Sequence, residues 1–251
     1  MSYTAGDGTG ITLRPGAPNS AHRDNHTHRD VSGGWLRPAV FGAMDGLVSN
    51  LALMTGVAGG TADRQVIILS GLAGLAAGAF SMAAGEYTSV ASQRELVLAE
   101  LEIERRELRR HPESERQELV DLYRGRGLPT EVAEQVAEHF SRNPEQALEI
   151  HAREELGVDP GELPSPALAA GSSFASFAVG AMIPVLPYLL GAAVLWPAVA
   201  VSLLGLFLCG AVVSKITSRP WWYSGLRQLV LGGAAAALTY GLGTLFGVAL
   251  G

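Results

Sequence analysis

A single cysteine is too few for a disulfide framework or a cysteine-built zinc site, and Cys209 falls within an apolar run, where packing is its expected role. Lysine is nearly absent too, one residue against 17 arginines. With the high Ala and Gly content, that bias points to a GC-rich bacterial genome and hence a plasma membrane; an organelle membrane is the other location considered. Charge is scarce: Asp, Glu, Lys and Arg make up 17% of residues, and most of them lie between Gln93 and Glu162. Residues 1–34 lack large apolar side chains and are rich in Gly, Ser, Thr, Asn, Asp and His. Such a stretch cannot offset the entropy of ordering, so a disordered tail is expected. No apolar run precedes Trp35, so a signal peptide is not expected. His22, His26 and His28 are loosely spaced in this tail, and an incidental role is expected for them.

Most of what remains is apolar. Five runs are long enough to cross a hydrocarbon core of ~30 Å: roughly Pro38 to Gly60, Val66 to Val90, Ser165 to Leu190, Gly191 to Ser214 and Leu226 to Gly251. The expected fold is an all-α membrane protein with five transmembrane helices and a cytoplasmic α-helical domain inserted between helices 2 and 3. The expected divisions are a cytoplasmic tail (1–34), helices 1 and 2 (35–92), an acidic metal-binding helical domain (93–163) and helices 3 to 5 (164–251). Basic residues mark the cytoplasmic side. Arg14, Arg23, Arg29 and Arg37 precede the first run, ten arginines lie in the polar block, and Lys215, Arg219 and Arg227 lie between the last two runs. The N-terminus is therefore expected in the cytoplasm and the C-terminus on the far side.

Local signals divide the polar block into four helices. The first continues from the second apolar run to about Arg110, and His111-Pro112 ends it. The second runs to about Arg124, before the Gly125 and Gly127 turn. Pro129-Thr130 opens the third, to Phe140, and Asn143-Pro144 opens the fourth, which ends at Leu156-Gly157. In the membrane, Gly71, Gly74, Gly78 and Gly85 have the spacing of tightly packed helices, with Trp35 and Arg37 as an interfacial anchor. Pro184 and Pro187 are expected to kink or break the third span.

The polar block carries eighteen of the 24 acidic residues. Glu100, Glu104, Glu107 and His111 are spaced by four, three and four residues and so share one helix stripe; Glu115 and Glu118 form a second. Stacked like charges call for a cation, and carboxylate oxygens without cysteine suit Mg, Mn, Ca or ferrous iron. The competing reading is a solvated face, because Arg105, Arg106, Arg109, Arg110 and Arg116 interleave with these glutamates. Spacing alone leaves both readings open.

Asp45 and Glu86 lie inside the first two apolar runs, where a carboxylate is expensive and marks an ion or substrate pathway by default. At ~1.5 Å per residue, Asp45 sits ~10 Å from the cytoplasmic end of span 1 and Glu86 ~30 Å along span 2, with Met82 one turn deeper. These three can meet at similar depth, and a carboxylate with a thioether favours a softer transition metal. Core packing is the alternative role for Met82.

The strings Asp45-Gly46-Leu47-Val48-Ser49-Asn50, Ser81-Met82-Ala83-Ala84-Gly85-Glu86-Tyr87, Ser92-Gln93-Arg94-Glu95 and Gly180-Ala181-Met182-Ile183-Pro184 resemble the vacuolar iron transporter family. The resemblance extends from Trp35 to the C-terminus with the same order of spans. It implies a homodimeric exchanger that moves ferrous iron, and often manganese, out of the cytoplasm against protons, with Asp45 and Met82 lining the path. It further implies metal binding by two Glu-x-x-Glu pairs, Glu104 with Glu107 and Glu115 with Glu118, and by Glu155. One departure stands out: where plant members carry two methionines, this chain has His151 and Ala152, and imidazole is the harder ligand.

The expected activity is thus proton-coupled export of Fe2+, and of Mn2+, with Asp45 or Glu86 carrying the coupling proton. The expected partners are divalent metal ions, protons, the lipid bilayer and a second copy of the chain; neither a nucleic acid nor a resident cofactor is expected. A manganese-preferring exporter is the alternative within the same class. A membrane-anchored iron-oxidising or storage protein is the alternative outside it, but the Glu-x-x-His pairs of di-iron helical sites are missing: Leu108, Val136 and Leu148 stand three residues before His111, His139 and His151. No enzymatic activity is expected.

Overall fold

The computed structural model describes residues 36–217 and 219–250, and the side chains of 215–217 and 248–250 are outside that description. The tail with its three histidines, and Trp35, lie outside the described residues. Eight helices and no strand are found among the described residues: α1 (Leu36–Gly60), α2 (Arg64–Arg110), α3 (Pro112–Gly125), α4 (Thr130–Ser141), α5 (Pro144–Glu154), α6 (Pro166–Leu189), α7 (Trp196–Thr217) and α8 (Trp221–Leu250). Five of them, α1, α2, α6, α7 and α8, are long and apolar enough to cross a membrane.

Helix α1 is central, packed between α6 and α8, while α2 lies on α6 and α7 on α8. Small residues allow these contacts. A Cβ on Gly46 would collide with the Phe177 carbonyl of α6, and one on Gly243 with the Gly56 carbonyl of α1. Because the obstruction is backbone, it cannot move aside cheaply. Gly46→Ala should therefore cost about 1–3 kcal/mol through overpacking, read as a lower thermal midpoint in detergent; an unchanged midpoint would show that α1 and α6 separate freely. Of the four spaced glycines of α2, Gly71, Gly74 and Gly78 face Met54, Asn50 and Phe177, and Gly85 faces open space.

Helix α6 runs without interruption through Pro184 and Pro187, so neither proline breaks it. Pro184 and Pro187 take the helical donors away from the Gly180 and Ile183 carbonyls, and neighbouring helices donate to other carbonyls of the same stretch. Asn50 Nδ2 donates to the Ala181 carbonyl at 2.6 Å, in the turn before Pro184, and Arg64 donates to the Tyr188 carbonyl at 2.5 Å beyond Pro187. Both donors come from neighbouring helices.

Helix α2 is 47 residues long, its apolar half continuing directly into the polar block. Asp63 caps its start by accepting from the Gln65 and Val66 amides. His111 ends it, and Pro112 occupies the first turn of α3, a position with no helical donor to lose. Gly127, at a φ of 95°, supplies the left-handed residue that turns the chain toward α4, and Asn143 caps α5 with Pro144 in its first turn. Leu119 and Val120 of α3 pack on Ala133 and Ala137 of α4, with Ile150 of α5 against them. Leu148 and Ala152 of α5 pack on Leu101 and Leu108 of α2. This second contact positions the site.

Candidate metal site

Along the polar half of α2, Leu101, Glu104 and Leu108 follow one another at three and four residues, so Glu104 occupies a core-facing position between two leucines. Glu115 stands one turn before buried Leu119 in α3, and His151 stands between Leu148 and Ala152 in α5. Packing three apolar stripes together therefore drives three polar groups into one place. Glu115 and His151 are 6% and 1% exposed. The His151 Nδ1 lies 2.8 Å from Glu155 Oε1, 3.1 Å from Glu104 Oε1 and 3.7 Å from Glu115 Oε2. One ligand atom from each of Glu104, Glu115 and His151 lies within 4.8 Å of the other two, a spacing that could hold a metal ion.

The electrostatics are those of crowded acids. Burial first, and then the charges of Glu155, Glu115 and Glu118, push Glu104 up to about 7; burial and the charge of Glu118 also raise Glu115. The arginines do not relieve this crowding. Arg105 and Arg109 pair with Glu102, Arg116 with Glu113, Arg124 with Asp121, Arg126 with Glu154, and Arg153 with Glu149 and Asp159. Among the described ion pairs, none joins an arginine to Glu104, Glu115, Glu118 or Glu155. The interleaved arginines thus neutralise the outward acids and leave the inward ones facing one another.

One member of each Glu-x-x-Glu pair, Glu104 and Glu115, lies in the cluster. Glu107 turns away from the cluster to the end of its own helix, 3.8 Å from His111. Glu118 is exposed and acts on Glu104 and Glu115 through its charge. Glu100 is exposed as well.

In the apolar helices, Asp45 is exposed on α1, and its neighbour Ser49 donates to the Asp45 main-chain carbonyl at 2.6 Å. Met82 is half-buried against Ala79, Phe177 and Ala181, and Glu86 is half-buried one turn further on. Among the described residues, no hydrogen bond or ion pair joins Asp45 to Met82 or Glu86 within one chain.

A family profile described as the VIT family matches residues 36–244, which takes in all five apolar helices and the polar block between them. The chain belongs to the VIT family. Vacuolar iron transporter 1 of Oryza sativa subsp. japonica is 30% identical over 247 residues, covering 95% of this chain and 96% of its own length. The vacuolar iron transporter of Acanthamoeba castellanii is 39% identical over 232 residues, covering 88% and 83%. Vacuolar iron transporter homolog 1 of Oryza sativa subsp. japonica is 35% identical over 225 residues, covering 85% and 75%. This VIT family member is accordingly a membrane protein.

Reading this VIT family member by Glu-x-x-Glu spacing leaves His151 out of the cluster, although the structure sets it at the centre. Its signal is present in the sequence as a polar residue at core spacing from Leu148.

Two predictions arise here. Met82→Leu roughly conserves volume, so it should cost less than about 1.5 kcal/mol of stability while reducing metal flux; lost stability with unchanged flux would mark Met82 as packing only. The second concerns pH. With its folded pKa above the ordinary 4.5, Glu104 favours folding in its protonated form, a contribution fully present below 4.5 and lost as the pH rises through about 7 in the metal-free protein. Metal needs the ionised form, so affinity should rise about tenfold per pH unit up to about 7. Calorimetry at about pH 6 and about pH 8 checks this; equal affinities would exclude Glu104 as a ligand.

Proposed function

We propose that this protein is a proton-coupled transporter that moves ferrous iron, and manganese, out of the cytoplasm as a homodimer. The observation that carries this reading is that α2 is one uninterrupted helix. Its apolar half bears Met82 and Glu86, and its polar half bears Glu104 of the buried cluster, about 27 Å further along. A rigid rod thus links the membrane path to the metal-collecting acids. The arginine distribution supports placing the polar helices and the N-terminus on the cytoplasmic side and the C-terminus on the far side.

In this mechanism, Glu104, Glu115 and Glu155 gather the cation with support from the charge of Glu118, and Asp45 and Met82 pass it through the membrane. An exposed carboxylate on an apolar helix is costly in lipid, and a second copy of the chain covering Asp45 removes that cost and closes the path between two protomers. Protons returning from the far side compete for the carboxylates and release the metal, with Asp45 or Glu86 carrying the coupling proton. The relatives' designation as vacuolar iron transporters favours iron as the cargo.

Purified protein in vesicles, offered Fe2+, Mn2+, Co2+ and Zn2+ with and without a pH gradient, tests this reading. Gradient-driven Fe2+ and Mn2+ entry is expected. Iron oxidation or retention without flux would replace the transporter by an iron-oxidising or storage protein, and Mn2+ flux without Fe2+ flux would make it a manganese exporter.

A further inference from the structure

Three carboxylate oxygens converge on the Nδ1 of His151, which can donate one hydrogen bond at most. The ring is 1% exposed, and its Nε2 has no hydrogen-bond partner. The Glu104 Oε1 is also without one, despite lying 3.1 Å from Nδ1. Most buried side-chain polar atoms have at least one hydrogen-bond partner. Here one nitrogen is idle, and the other faces more acceptors than it can satisfy. The three separations are close to the ~3 Å between adjacent donors around an ion bound at ~2.1 Å. A cation at Nδ1 would engage one atom from each of Glu104, Glu115 and His151, with Glu155 beside it at 2.8 Å from the same nitrogen.

We propose that His151 is itself a metal ligand and the residue that sets the ion preference of this centre. The proposal rests on the reading of Glu104, Glu115 and Glu155 as a metal site. Carboxylates alone suit Mg2+, Ca2+ and Mn2+, whereas imidazole suits iron, nickel, copper and zinc. A set of two glutamates and one histidine, with Glu155 beside them, therefore tilts the centre toward Fe2+, with Co2+ as its air-stable stand-in, relative to Mn2+. No other residue of the cluster supplies a nitrogen.

The test uses the full-length protein, with Co2+ and Mn2+ each titrated calorimetrically. His151→Gln should weaken Co2+ binding by about tenfold or more and Mn2+ binding by less than about threefold. Equal losses for the two ions would overturn the proposal and leave His151 a positioning residue. A spectroscopic arm does not depend on that variant folding: His22, His26, His28, His111 and His139 are replaced by Gln, leaving His151 the only imidazole. Electron spin-echo modulation of bound Mn2+ should then show a nitrogen coupling that changes on 15N-histidine labelling. Bound Mn2+ without that coupling would also overturn the proposal. Glu104→Gln with Glu115→Gln separates the two layers: unchanged metal binding there means that the carboxylate site itself is wrong, whereas abolished binding together with a silent His151 means that only the histidine assignment is.

Discussion

Asp45→Ala is expected to reduce metal flux to that of protein-free vesicles while the protein stays folded and inserted. Asp45 projects from α1 at an exposed position within an apolar helix, and among the described residues its carboxylate makes no hydrogen bond or ion pair. Among the described residues, no packing contact of the core involves it. A carboxylate on an apolar helix is expensive in a membrane, so removing it should leave stability unchanged or raised. Flux assays paired with thermal unfolding decide this. Normal flux in a folded Asp45→Ala protein would remove Asp45 from the path, and flux lost together with folding would make it a structural residue.

Replacing Glu104, Glu107, Glu115, Glu118 and Glu155 together by Gln should abolish metal binding by the polar helices while keeping their helix content. Glutamine preserves length and helix propensity but supplies no anionic oxygen. The geometry ranks the single changes: Glu104→Gln and Glu115→Gln should cost most affinity, and Glu107→Gln least, because Glu107 faces His111 instead of the cluster. Removing crowded charge should also raise the metal-free protein's stability above pH 7, since Glu104 no longer has to ionise among three other carboxylates. Tight binding retained by the five-fold variant would return these stripes to the solvated-face reading.

The helices were legible because their signals are local. Pro112, Asn143-Pro144 and Gly157 mark boundaries through chemistry that acts within one turn, and the apolar lengths set the five candidate spans. The continuity of α6 through Pro184 and Pro187 is set by its packing on α1 and α2, whose residues are distant in sequence. The cluster was half legible for the same reason. Spacing on one helix groups Glu104 with Glu107, and the packing of Leu148 and Ala152 on Leu101 sets Glu104 beside His151. A stripe states which residues share a face; only the partner helix states which face is inside.

The most direct test of proton-coupled metal transport is simultaneous recording of lumenal Fe2+ and lumenal pH in sealed vesicles whose protein exposes the cytoplasmic face outward. An acidic lumen should drive Fe2+ inward with a matching loss of lumenal protons, and dissipating the gradient with an ionophore should stop both. Iron entry that neither alters lumenal pH nor responds to the gradient would contradict the coupling, and no iron entry under any gradient would contradict the transporter itself.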